Sequence, residues 1–193
     1  KNSTKVGGSS VLLEESVLGV FKKDGPIVGL TNPRLKLRPS AYSPYDTLAE
    51  DWQDRASELM EKASTIVLLV GLGHGLSWEV RRIMEKKYLP HTLFIFPPAD
   101  KVKARRESAL LQLGLQTINL KGQESGSKTE LEWVLSELGF SSGIELRVIR
   151  LNEDTDMQPL VLHFINDKPH VFLASPEAIW YEEAVRRAIG YSK

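Results

Sequence analysis

The sequence predicts an α/β domain, a three-layer Rossmann-like fold built on a mostly parallel sheet with an antiparallel C-terminal extension. Three observations predict it. Short continuous apolar runs, TIVLLV at 65–70 and TLFIF at 92–96, have the composition of strands covered on both faces. Segments with apolar residues every three or four positions lie between and around them. Glycine or proline punctuates the junctions, and strand–helix alternation at this spacing favours right-handed crossovers.

Taken in order, residues 1–10 (KNSTKVGGSS) are polar and Gly/Ser-rich and are expected to form a flexible tail, with one α/β domain spanning 11–193. A short amphipathic helix is predicted from Val11 to Lys23, stopped by Gly25 and Pro26. Ile27 to Leu30 reads as a short strand, and Thr31 to Tyr45, with no period, as a long loop. Thr47 to Glu50 fits a capping box. Behind it Leu48, Trp52, Ala56, Leu59, Met60 and Ala63 mark a helix. The 65–70 strand leads into the tight loop Gly71 to Gly75 (GLGHG). Ser77 is placed to cap the next helix, whose apolar face is Val80, Ile83 and Met84 and which Pro90 ends. The second buried strand closes at Pro97 and Pro98.

A helix is expected over 100–113, a weak strand over 116–120, a loop over 122–128 and a helix over 129–138. The tail then changes character. ELRVIRL (145–151), LVLHFI (160–165) and 170–173 read as antiparallel strands at the sheet edge, with a hairpin connection at 166–169. Ser175, Pro176 and Glu177 resemble an N-cap, a first-position proline and a first-turn acid of a last helix ending at Gly190.

Composition narrows the function. Lysine plus arginine number 25 and aspartate plus glutamate 25, a balance unlike the basic excess of a dedicated nucleic-acid-binding domain. The chain has no cysteine, which removes disulfides, thiol catalysis and cysteine-ligated metal sites. Its four histidines, His74, His91, His163 and His170, are scattered, and no metal site or cofactor is expected. No run reaches the length of a membrane span.

Ligands of open parallel sheets collect beyond the carboxyl ends of the strands. Three segments are expected there: the loop with Arg34, Lys36 and Arg38; residues 71–79; and the stretch with Lys101, Lys103, Arg105 and Arg106. Cations and helix N-termini together suit a phosphate or another anion, although solvated loops account equally for the same charges. The candidate binding residues are Gly71, Gly73, His74, Gly75, Ser77, Trp78, Arg34 and Arg38. Gly73 and Gly75 would let a ligand approach the backbone, Trp78 would stack on a base, and His74 would exchange a proton. The glycines do not form GxGxxG, and no acid ends the following strand, so this is not a dinucleotide fingerprint. Glu79 is the candidate catalytic carboxylate: in a first helical turn it can bind a ribose or stabilise positive charge at a sugar carbon. The helix dipole alone also favours an acid there.

Residues 25–33 (GPIVGLTNP), Trp52-Gln53 and Gly71 to Val80 resemble motifs of a group of bacterial predicted membrane proteins of unknown function. The resemblance covers roughly 11–112. It implies a cytoplasmic soluble part of an inner-membrane protein, anchored through a segment that this chain lacks. More remotely, the same turn is similar to the Toll/interleukin-receptor (TIR) and nucleoside deoxyribosyltransferase-like folds. There, a glutamate at the position of Glu79 works on the N-glycosidic bond of NAD or a nucleoside. The TIR pattern spaces its tryptophan and glutamate further apart and carries a cysteine that is absent here.

Three functions follow as expectations. One is a sensory or regulatory domain that binds a nucleotide or nucleoside derivative, without nucleic-acid partners. Another is an N-glycosidic hydrolase or transferase using Glu79. The third is an interaction module presenting its C-terminal strands or Trp180 and Tyr181 to a partner, or to a second copy in a homodimer.

Overall fold

The computed structural model describes residues 9–23, 25–31, 43–46, 51–71, 75–98, 127–140, 145–154 and 157–190. The elements in chain order are α1 (Ser9–Phe21), β1 (Val28–Thr31), β2 (Ser43–Asp46), α2 (Trp52–Lys62), β3 (Ile66–Leu69), α3 (Leu76–Glu85) and β4 (Thr92–Ile95). After them come α4 (Ser127–Glu137), β5 (Arg147–Arg150), β6 (Gln158–Ile165), β7 (Lys168–Ala174) and α5 (Ala178–Gly190). The helix and strand expected over 100–120 and the capping box at 47–50 lie outside the described residues.

The main sheet has five strands in the order β3-β4-β6-β7-β5. β3 pairs parallel with β4, and β5 parallel with β7, whereas β6 runs antiparallel to both of its neighbours. Four strands therefore share one direction, with β6 set against them inside the sheet. The sheet is thus mixed, with two pairings of each sense, and β6 and β7 are interior strands rather than the edge extension expected. The reason is burial. Residues 160–164 of β6 are buried on both faces, which suits only an interior position, while three of the four residues of β5 are exposed. β1 and β2 form a separate parallel pair. The sequence hid β2, because SPYD is polar, contains Pro44 and shows no alternation.

Two cores lie on opposite faces of the sheet, and successive residues of β4 alternate between them. Phe94 and Phe96 join Ile66, Leu68, Leu162, Phe164 and Val171 under α2, α3 and α4. Leu93 and Ile95 join Val161, Phe172 and Ala174 under α1 and α5. The period of two is what a pleated strand imposes. On α1 the buried residues Leu13, Val17 and Phe21 recur every four positions, one stripe of a helix. α1 begins at Ser9, so it takes in the last two residues expected in the flexible tail.

The ends of the elements correct several sequence expectations. α3 stops at Glu85, well before Pro90, in a Schellman turn: the Tyr88 amide donates to the Ile83 carbonyl and the Lys87 amide to that of Met84. Lys87 takes the left-handed conformation there, with φ 60°. α4 ends in the same way, with Gly139 at φ 77° in the equivalent place and the Phe140 amide on the Leu135 carbonyl. Ser175 does not cap α5. Its hydroxyl accepts from Asn152 Nδ2 at 2.8 Å, while the Glu177 carbonyl receives the first helical amides. The hairpin between β6 and β7 is as expected, with Asn166 and Asp167 both left-handed, as a two-residue type I′ turn requires. Among the described residues no helix is long and apolar enough to cross a membrane.

Candidate functional site at the carboxyl end of β3

β3 delivers the chain to the rim where the four co-directional strands end. The Val70 amide donates to the Ile95 carbonyl at 2.8 Å, so pairing with β4 persists to the last residue before Gly71. α3 then starts at Leu76. Leu76, Val80 and Ile83 are buried against the sheet and fix the rotation of the helix. Gly75 is the N-cap residue and Ser77 already lies within the helix, so the expected serine cap is absent, and among the described residues no side-chain capping bond is made at this end. Asp51, the N-cap of α2, likewise makes no side-chain capping bond.

That rotation leaves Glu79 on the flank of the helix, half-buried. Its amide donates to the Gly75 carbonyl at 2.9 Å. Among the described residues no hydrogen bond or ion pair engages its carboxylate, and burial pushes the carboxyl up from its ordinary 4.5. The position in the first turn should favour the anion through the helix dipole. A carboxyl withdrawn from water, with no cationic partner among the described residues, is a candidate for holding a ligand or a proton.

Trp78 is half-buried beside it and meets Trp52 of α2 edge to face, with ring centroids 4.9 Å apart at 71°. Gly75 completes this junction. A Cβ at that position would come within 3.1 Å of Trp52 Cη2. The space that Gly75 was expected to offer a ligand is therefore taken up by an indole. At Gly71 the outcome is different: a Cβ there would meet no described residue within 4 Å.

The structure thus brings Gly71, Gly75, Ser77, Trp78 and Glu79 to one rim and adds Trp52. The sequence had placed Trp52 on a helix without linking it to Trp78, since the 25 intervening positions carry no periodic signal between the two rings. Gly73, His74, Arg34 and Arg38 lie outside the described residues, as do Lys36 and the cations of 101–106. Two residues expected on a C-terminal docking surface are placed as follows. Tyr181 is only 1% exposed, and its hydroxyl donates to the Phe96 carbonyl at 2.6 Å, while Trp180 is half-buried against the α1/α5 core.

No protein-family model, curated protein or solved structure matches this chain.

Proposed function

We propose that this chain is a cytoplasmic nucleotide- or nucleoside-derivative-binding domain, sensory or regulatory, belonging to a membrane-anchored protein. The single observation that carries the reading is Glu79: a desolvated carboxyl with no ion-pair partner among the described residues, at the carboxyl end of a parallel strand. Glu79 would bind sugar hydroxyls and Trp78 the base, with Arg34 or Arg38 neutralising a phosphate. Helical cores on both faces of the sheet support a three-layer Rossmann-like, TIR- or flavodoxin-like arrangement, in which ligands gather at this rim. The test is thermal stabilisation by NAD, mononucleotides and cyclic nucleotides. A ligand at one hundred times its dissociation constant adds about 2.7 kcal/mol of stability. Glu79→Gln should abolish the shift, and a panel without any shift contradicts the proposal.

One observation favours a second reading. A carboxyl pushed up by burial retains its proton to higher pH, as a general acid must. On this reading the domain cleaves or transfers at an N-glycosidic bond, with Glu79 donating to the leaving base or stabilising charge on the sugar. Release of nicotinamide from NAD, or of a base from a nucleoside, should then be lost in Glu79→Gln. Turnover unchanged in that variant would remove Glu79 from the mechanism.

A further inference from the structure

The tryptophans of this chain divide into two kinds. Trp133 packs against the core under α2, α3 and α4, and Trp180 against the core under α1 and α5. Trp52 and Trp78 belong to neither cluster; both are half-buried and meet each other at the rim. Helix geometry sets Glu79 beside them. Gly75, Trp78 and Glu79 stand at positions i, i+3 and i+4 of α3 and so share one face. Side chains on a helix lean toward its N-terminus, which brings residues 78 and 79 over the patch at Gly75. The six-membered ring of Trp52 fills that patch: a Cβ at Gly75 would lie 3.1 Å from its Cη2 and 3.6 Å from Cζ2 and Cζ3. One carboxyl and two indoles therefore converge on a single corner outside both cores.

We propose that this corner binds a small organic cation of the quaternary ammonium type, held by the Glu79 carboxylate and the faces of Trp52 and Trp78. The proposal shares with the nucleotide reading the premise that this rim takes a ligand, and adds that the inserted group is positively charged. Rings set at 71° turn two faces toward one corner, and indole is the aromatic side chain that attracts cations most strongly. The described charges around the corner are net negative. The start of α2 carries Asp51 and Asp54 and the first turn of α3 carries Glu79, against helix ends worth about half a positive charge each. The cations of these helices are engaged or turned aside. Arg55 pairs with Glu58 at 3.0 Å and Arg82 with Glu85 at 3.6 Å, Lys62 closes the far end of α2, and Arg81 is exposed two positions from Glu79, a spacing at which side chains do not face each other.

The chemistry of the corner selects among cations. A metal ion needs several oxygen ligands, and among the described residues no group of three acid or histidine side chains is placed to hold one. An ammonium with three N–H groups needs an acceptor for each, and ring faces supply none. A quaternary nitrogen has no N–H to satisfy, and its alkyl groups lie well against indole. The burial that raises Glu79 also strengthens the attraction of its carboxylate for such a charge.

Titration of the whole chain with choline, followed by calorimetry and NMR, tests the site. Choline should bind at least about tenfold more tightly than dimethylbutanol, its uncharged carbon isostere, and its methyl protons should move upfield in the ring currents of the indoles. Glu79→Gln should erase the preference for the charged ligand, and Trp78→Leu should weaken choline binding about tenfold. Should Trp78→Leu fail to fold, Glu79→Gln decides alone. Equal affinity for choline and the alcohol, or a preference undiminished in Glu79→Gln, would overturn the proposal. The nucleotide panel separates the two readings. Glu79-dependent stabilisation by nucleotides with no binding of choline overturns this proposal and leaves the nucleotide reading standing, whereas choline binding without any nucleotide shift upholds it and contradicts that reading.

Discussion

The two ends of the sheet bury ionisable groups, and the same physical cause has opposite consequences at each. At the carboxyl end burial raises Glu79, and at the amino end burial lowers His163. Both shifts penalise the charged form. At neutral pH, however, the charged form is the one that solution favours for a carboxyl and disfavours for an imidazole. Glu79 is thus held against its preference in a half-open place beside Trp78, whereas His163 rests in its preferred state, with a carbonyl partner at 3.0 Å. The group held against its preference is the one at the rim where the co-directional strands end.

The comparison can be broken most severely at β6, the strand that ties the two ends together. Phe164 is 1% exposed, stacks on Phe140 with centroids 5.3 Å apart and meets Phe94 edge to face. Phe164→Ala should cost about 3–5 kcal/mol in chemical denaturation. A loss near zero would mean that β6 is not the common support. Next in size is Tyr181→Phe. It leaves the Phe96 carbonyl without its 2.6 Å donor just where β4 reaches the rim, and should cost about 1–3 kcal/mol. Smaller again are the two Schellman turns, which pose the same conformation to different residues. Lys87→Gly should stabilise the protein by about 1 kcal/mol and Gly139→Ala destabilise it by a similar amount, read as shifts of the urea midpoint. Equal signs would show that the left-handed geometry is not held at one of them.

Glu79→Gln sharpens the contrast through its sign. A carboxyl raised on folding contributes stability that is full below its unfolded value of 4.5 and is lost as pH rises through its folded value. Removing the charge should therefore raise Tm at pH 7, with the gain vanishing below pH 4.5. Substitution at His163 has the opposite pH dependence, its benefit appearing only on the acid side of 6.5. A Tm that falls in Glu79→Gln at pH 7 would mean that the carboxylate is solvated or paired.

Much of this scaffold was legible in the sequence because it is written locally. The runs at 65–70 and 92–96 specify β3 and β4, and the three- and four-residue spacing through Val80 and Ile83 specifies the buried face of α3. Asn166 and Asp167 announce a turn through residues that tolerate positive φ. What escaped is non-local. The insertion of β6 between β4 and β7 depends on pairing across some 65 residues of chain, which no window of sequence contains. Ser77 and Ser175 looked like caps by type and position. α3 instead begins after Gly75, where Trp52 closely approaches the place of a Cβ, and the Ser175 hydroxyl accepts from Asn152. Within the candidate site, Glu79 and Trp78 were readable from their place after a buried strand. The aromatic junction with Trp52 was not, and neither was the opposition of His163 to His170, since both exist only once the elements have packed.

The carboxyl carbon of Glu79, followed by NMR through a pH titration with and without nucleotide, tests the central claim most directly. The account predicts a midpoint above 4.5 in the free protein and a displaced midpoint when NAD or a nucleoside occupies the rim. A midpoint at or below 4.5, unmoved by millimolar nucleotide, would contradict it.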